Sequence, residues 1–182
     1  MLITKLDNEG RLYSVTNLLP DDQVRDILSL DWLNLPWARG SMQESWARRQ
    51  IAWDHPDIGR VSKHINDMLP EINAQLKTNF TRAEGIWWVD EPGFTCGMHT
   101  DGQLPNSMQI YWIVPGPEYG TCFYEYNNWN SVKHHFISET NNGYIMLNHL
   151  NEDGSQPLQW HAMTRPVPEG TFRLSSYWYF YK

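Results

Sequence analysis

A chain of 182 residues, 41% hydrophobic and 19% charged, is long enough to bury one real core and too apolar for a disordered chain. Its formal net charge of −7, with no run of Lys or Arg, argues against a nucleic-acid partner held by phosphate contacts. No apolar run approaches the roughly 20 residues of a membrane span, the N-terminus lacks the apolar core of a signal peptide, and Cys96 and Cys122 show no C-x-x-C spacing, so a cytosolic protein without a membrane contact or a disulfide framework is expected.

Ten Trp, nine Tyr and six Phe favour pleated sheet over helix. Residues 2–6 and 11–18 read as short strands around the turn Asp7-Asn8-Glu9-Gly10. Leu19-Pro20-Asp21-Asp22 starts a helix over 21–30, with an acidic first turn and Val24, Ile27 and Leu28 at helical spacing. Residues 31–53 hold four Trp (32, 37, 46 and 53), the pair Arg48-Arg49 and breakers at Pro36 and Gly40; a loop with one strand near Arg48–Trp53 is expected. From Asp57 to Lys77, Ile58, Val61, Ile65, Met68, Leu69, Ile72 and Leu76 recur at three and four residues and mark one buried helical face. Pro70 clashes inside a helix, so a kink or a second helix is expected near Leu69. His64 falls off the apolar stripe and reads as a solvated helix residue.

After Arg82 the pattern turns to β. Strands are expected over Glu84–Asp90, Ser107–Val114, Thr121–Tyr126, His135–Ser138, Tyr144–Asn148, Leu158–Thr164 and Thr171–Tyr181, with Phe94–Thr100 extended between the first two. Within 107–114, Met108, Ile110, Trp112 and Val114 alternate with Gln109, Tyr111 and Ile113, giving the strand two faces. Residues 151–156 read as a polar loop. Helices first, then about eight short strands broken by Gly, Pro and Asn turns, define a mainly β, α+β domain: an antiparallel sandwich or barrel with the helices packed on one sheet. No repeat, low-complexity tract or linker divides residues 1–182, so a single domain is expected.

The chemistry gathers around Phe94–Gly102, Phe-Thr-Cys-Gly-Met-His-Thr-Asp-Gly. His99 and Asp101 are two apart, and in an extended backbone such side chains share a face. An H-x-D triplet alone arises readily by chance. Here it is followed by His161, in Trp-His-Ala-Met, and Arg173, in Phe-Arg-Leu-Ser. Two His and one carboxylate on one side of a metal leave positions open for oxygen and a cosubstrate, which suits non-haem Fe(II). Arg173 follows His161 by 12 residues across the Pro166–Gly170 turn, so the two side chains can share a cavity. Arg173 and Ser175 share a strand face, and a guanidinium fork with a hydroxyl is a receptor for a carboxylate. The plainer reading of Arg173 is a surface salt bridge. Its segment is rich in aromatics and reads as buried, however, and a buried Arg needs an anionic partner; a dicarboxylate ligand is the expected one. His149, His134 and His135 are rival third ligands.

His99-Thr100-Asp101-Gly102, Met108-Gln109-Ile110-Tyr111-Trp112 and the closing residues Trp160-His161-Ala162, Pro166-Val167, Gly170, Arg173, Ser175 and Trp178 resemble the iron(II)/2-oxoglutarate-dependent dioxygenases, particularly the branch containing prolyl hydroxylases. Val15, Leu18-Leu19 and the acidic-capped helix resemble that branch too, so the likeness spans nearly the whole chain. The resemblance implies a double-stranded β-helix, or jelly-roll. It implies Fe(II) held by His99, Asp101 and His161, and 2-oxoglutarate bound by Arg173 with Ser175 as helper. His161 is preferred to His149 because its spacing to Arg173 and the Pro-Val-Pro-Glu-Gly turn fit the family. The implied reaction consumes O2, hydroxylates a C–H bond of a peptidyl (including prolyl) or small-molecule substrate, and releases succinate and CO2. The Asp101 carboxylate favours hydroxylation over halogenation. Two departures stand out. Arg173 replaces the Lys common in that branch, and the strand Gly143–Asn148 lacks the family's common Phe.

Two other classes compete: a jelly-roll binding module without turnover, and a cupin-like metal enzyme without 2-oxoglutarate. The full set of four residues argues against the first, and Arg173 with Ser175 against the second. Substrate choice falls to the loops Trp32–Arg49, Gly102–Asn106 and Asn127–His135. Their aromatics and the pair Arg48-Arg49 suit a peptide or an acidic molecule, and equally plain surface packing.

Overall fold

The computed structural model describes residues 1–36, 47–51, 56–101, 106–148 and 159–182. Their strands, in chain order, are β1 (Leu2–Lys5), β2 (Leu12–Thr16), β3 (Arg48–Gln50), β4 (Arg82–Asp90), β5 (Ser107–Ile113), β6 (Thr121–Tyr124), β7 (Val132–His135), β8 (Asn142–Met146), β9 (Trp160–Met163) and β10 (Arg173–Tyr181). The helices are α1 (Asp21–Leu28), α2 (Pro56–Asp67) and α3 (Leu69–Leu76). The larger sheet runs β1-β2-β8-β5-β10-β4-β3 and the smaller β7-β6-β9, with antiparallel pairing throughout.

Residues 94–99 extend the smaller sheet along the free side of β9. His99 and His161 exchange both backbone bonds, at 3.0 and 2.9 Å, and the Met163 amide donates to the Cys96 carbonyl at 2.9 Å. From β4 onward the chain therefore passes back and forth between the two sheets, with β6 and β7 as a pair within the smaller one. This interleaving is the double-stranded β-helix that the sequence implies.

The helices cover the outer face of the larger sheet. Ile58, Val61, Ile65, Leu69 and Ile72 meet Trp87 and Val89 of β4, Met108, Ile110 and Trp112 of β5, and Leu174, Trp178 and Phe180 of β10 in one buried cluster. Each such side chain contributes about 1.5–3 kcal/mol when fully buried. Trp32, Trp87 and Trp112 stack in series with ring centroids 4.9 and 5.5 Å apart, so these tryptophans are core filling. The helix breaks at Met68, which places Pro70 in the first turn of α3, where its missing N–H costs nothing. A smaller cluster of Leu12, Tyr111, Phe123, Phe136, Tyr144 and Met146 fills the space between the sheets. At the β5–β8 crossing, a Cβ on Gly143 would stand 1.9 Å from the Gln109 carbonyl oxygen, so only glycine fits there.

Three expectations shift. The strand read at 135–138 lies at Val132–His135, because Phe136 turns its ring into the inter-sheet core while His134 and His135 take the ladder opposite Phe123 and Cys122. His64 is half-buried, not solvated, with its ring nitrogen 3.2 Å from Gln23 Nε2. The strand near 48–53 covers Arg48–Gln50, and Ile51 adds one bridge through its amide to Trp87. Trp37, Trp46, Trp53, His149 and the 151–156 loop lie outside the described residues.

Candidate metal centre

His99 and His161 are cross-strand neighbours, and Asp101 follows two residues beyond His99. Asp101 Oδ1 lies 3.6 Å from Nε2 of each histidine. One potential ligand atom from each of the three falls within 4.8 Å of the others, and no other such group occurs among the described residues. His161 and Asp101 are largely buried, while His99 is partly open to solvent.

The backbone sets the tautomers. His99 Nδ1 is 2.7 Å from the Gly97 carbonyl and His161 Nδ1 is 2.9 Å from the Gln159 carbonyl. A carbonyl only accepts, so in the neutral rings each Nδ1 carries the proton and each Nε2 presents its lone pair towards Asp101. This is the form a metal requires. The Cys96 sulfur, 3.6 Å from His99 Nδ1, and then the Gly97 carbonyl push His99 up to about 9 against the effect of burial. Burial pushes His161 down.

A cavity of about 170 Å³ adjoins the three residues. Its walls include Arg48, Trp88, Gln109, Thr121, Tyr144, Arg173 and Tyr177. Along one wall, Arg48, Asp90 and Arg173 stand directly opposite one another on β3, β4 and β10. Arg173 Nε donates to Asp90 Oδ2 at 2.8 Å, with Nη2 at 2.6 Å, and Nη1 donates to the Tyr119 carbonyl at 2.8 Å. Arg48 Nε and Nη2 reach the two Asp90 oxygens at 2.5 and 3.1 Å. The anionic partner expected from a dicarboxylate is thus already supplied within the fold by Asp90. Burial alone would raise the Asp90 carboxyl, but Arg48 and Arg173 outweigh it and hold it below the usual range. Two guanidiniums share one carboxylate, so these three residues together carry a net positive charge at the cavity wall. A guanidinium has five N–H bonds, and the contacts of Arg173 leave one on each Nη for another acceptor.

Ser175 is fully buried behind Gln109, accepting from its Nε2 at 3.3 Å, and is not among the cavity-lining residues. Gln109 Oε1 accepts from the Tyr144 hydroxyl at 2.5 Å, and Thr121 Oγ1 sits 2.7 Å from the Tyr111 hydroxyl. Burial raises both tyrosines, so they remain hydrogen-bond donors.

Sequence reasoning missed Asp90 and Tyr177, and read Arg48 only as part of the pair Arg48-Arg49 suited to a peptide or an acidic molecule. The signal for Asp90 was a charged residue at the end of the apolar strand Ile86–Val89. The pairing of Arg48 with Asp90 and of Tyr177 with Asp101 had none, since the partners are 42 and 76 residues apart. His134 and His135 sit on β7, at the edge of the smaller sheet remote from His99.

No protein-family model and no curated protein sequence matches this chain. Its architecture is nevertheless that of the 2-oxoglutarate/Fe(II) oxygenases, matched across nearly the full length. A prolyl-4-hydroxylase from Pseudomonas putida superposes with a TM-score of 0.60 at 18% identity, over 94% of this chain and 92% of that one. A 2OG-Fe(II) oxygenase family protein from Burkholderia pseudomallei gives 0.65 at 12% identity, over 97% and 85%. HygX from Streptomyces hygroscopicus, whose structure holds nickel, 2-oxoglutarate and hygromycin B, gives 0.61 at 12%, over 93% and 83%. Identities this low establish the shared fold; the activity has to be argued from the site.

Proposed function

We propose that this chain is an Fe(II)- and 2-oxoglutarate-dependent dioxygenase that hydroxylates a C–H bond of a peptidyl or small-molecule substrate, with release of succinate and CO2. The observation that carries the reading is the convergence of two histidine Nε2 atoms, each 3.6 Å from one Asp101 oxygen, beside a cationic cavity wall. Two imidazoles and a carboxylate fit Fe(II) and leave part of its coordination sphere open. When bound, iron and 2-oxoglutarate supply the oxidising chemistry; the protein binds, orients and shields.

His99, Asp101 and His161 would hold the iron. Arg173 would take the distal carboxylate of 2-oxoglutarate on its remaining N–H bonds, while Asp90 fixes the guanidinium from the side. Thr121 and Tyr144 line the same cavity as Arg173, and the Tyr111 ring centroid lies 5.6 Å from the Arg173 guanidinium carbon. Trp88, Tyr144 and Tyr177 line the cavity and would limit water around a bound metal. The matched structures include a prolyl-4-hydroxylase and a protein holding hygromycin B, so the proposal covers both substrate classes.

One observation favours a second reading, a metal site that works without an oxo acid: Asp90 already neutralises part of the charge on Arg173. The two are separated by mixing protein, Fe(II) and 2-oxoglutarate without oxygen. The first reading expects the weak visible charge-transfer band of the chelate, about a tenfold or greater loss of 2-oxoglutarate affinity in Arg173→Ala, and loss of iron binding in His161→Ala. No band, together with unchanged affinity in Arg173→Ala, refutes it.

A further inference from the structure

We propose that Tyr177, backed by Ser107, is a positioning residue that holds Asp101 as a one-oxygen metal ligand; this rests on the metal-site reading above. The two oxygens of Asp101 have different surroundings. Oδ1 is equidistant from the two histidine Nε2 atoms, at 3.6 Å. Oδ2 points the other way and lies 2.6 Å from the Tyr177 hydroxyl, which is itself 2.7 Å from Ser107 Oγ. A phenol has one proton and a carboxylate only accepts, so that proton lies towards Asp101 and the Ser107 hydroxyl donates to the phenol oxygen. The result is a one-way chain, Ser107 to Tyr177 to Asp101, ending in a charge-assisted bond.

The placement of the three residues gives this chain a task. Tyr177 and Ser107 sit on β10 and β5, in the middle of the larger sheet, and Ser107 is fully buried. Asp101 lies just past the 94–99 segment, which pairs along β9. The rigid sheet thus reaches across the cavity to fix a ligand carried on the edge of the other sheet. A free carboxylate can bind a metal through one oxygen or two. With Oδ2 committed to Tyr177, Asp101 would hold a metal through Oδ1 alone, which would leave room for a cosubstrate oxygen. The same bond restricts rotation of the carboxylate before any metal arrives.

The test uses the full chain without oxygen, titrated with Mn(II) and separately with Co(II). Wild type binds one ion. Tyr177→Phe lowers affinity by about 10–100-fold, as loss of an outer hydrogen bond to a ligand does. It also changes the Co(II) ligand-field band, because the released carboxylate binds through both oxygens; a purely structural role would leave that band alone. Circular dichroism and the melting curve of the metal-free variant serve as the folding control. Ser107→Ala keeps the phenol and lowers affinity by a smaller factor. A folded Tyr177→Phe with wild-type Mn(II) affinity and an unchanged Co(II) band overturns the inference. Should that variant not fold, Ser107→Ala decides, and unchanged affinity there overturns it. Wild type that binds neither ion sinks the metal-site reading and this inference together; wild type that binds, with both variants equal to it, sinks this inference alone.

Discussion

Replacing Asp90 by Asn tests how the cationic wall is held. The side chain keeps its shape and loses its charge, leaving Arg48 and Arg173 facing one another across β4 without an anion. Removing one partner of a buried ion pair typically costs about 3–5 kcal/mol. Asp90 and Arg173 are essentially fully buried, whereas the Arg48 side chain is 18% exposed and can turn towards water. The Asn oxygen also still accepts one bond. The lower end, about 3 kcal/mol, is therefore expected. At roughly 2–4 °C per kcal/mol for a chain of this size, the melting temperature falls by about 6–12 °C. The effect has a definite pH dependence. The folded Asp90 carboxyl is held below its unfolded value of about 3.9, so its contribution is complete above about pH 5 and is lost as pH falls through the folded value. Melting curves of wild type and Asp90→Asn from pH 3 to pH 8 should run parallel above about pH 5 and converge in acid. Equal melting temperatures at neutral pH, or a gap that widens in acid, would refute the reasoning.

Two further outcomes concern the frame around the site. Gly143→Ala forces a backbone shift at the β5–β8 crossing, since the new Cβ would also stand 2.6 Å from Ile110 Cδ1. A loss of about 3 kcal/mol or more is expected by urea unfolding, and 2-oxoglutarate affinity should fall with it, because Gln109 lies on the same strand and lines the cavity. Asn141 holds a positive φ of 65° and its buried amide both donates to and accepts from the Leu19 backbone at 2.8 Å. Asn141→Ala should cost about 2–4 kcal/mol, and Asn141→Gly less, because glycine relieves the backbone strain; the reverse order in urea midpoints would show that the strain is unimportant.

Much of the frame was legible because it rests on periodicity. The alternation in 107–114 separates the helix-covered face, Met108, Ile110 and Trp112, from the inner face of Gln109 and Tyr111. The three- and four-residue spacing after Asp57 gives α2 and α3, and Pro70 gives the break between them. The clustering of His99 and Asp101 was legible from their spacing in an extended segment, and that of His161 from the family likeness. What pairing across sheets determines was not legible. Asp90 is an unremarked strand end until β10 and β3 close on either side of it. Ser175 shares a strand face with Arg173 as expected, yet Gln109 from the neighbouring strand stands between it and the cavity. The environment of Tyr177 depends on a carboxylate 76 residues away, just past the segment that pairs with the opposite sheet.

The bridge between His99 and His161 also bears on the order of folding. The two are separated by 62 residues, and their side chains face together only when β9 has threaded between β6 and the 94–99 segment in one register. A slip of a single residue would turn every side chain of β9 to the other face and carry His161 out of reach. Closing such distant pairings is slow, because loop entropy is lost before the contacts repay it. A collapsed chain with all its helices formed would still hold no organised set of ligands. Capture of a metal at the proposed site would therefore have to follow this pairing, and an ion bound there would guard against its reopening.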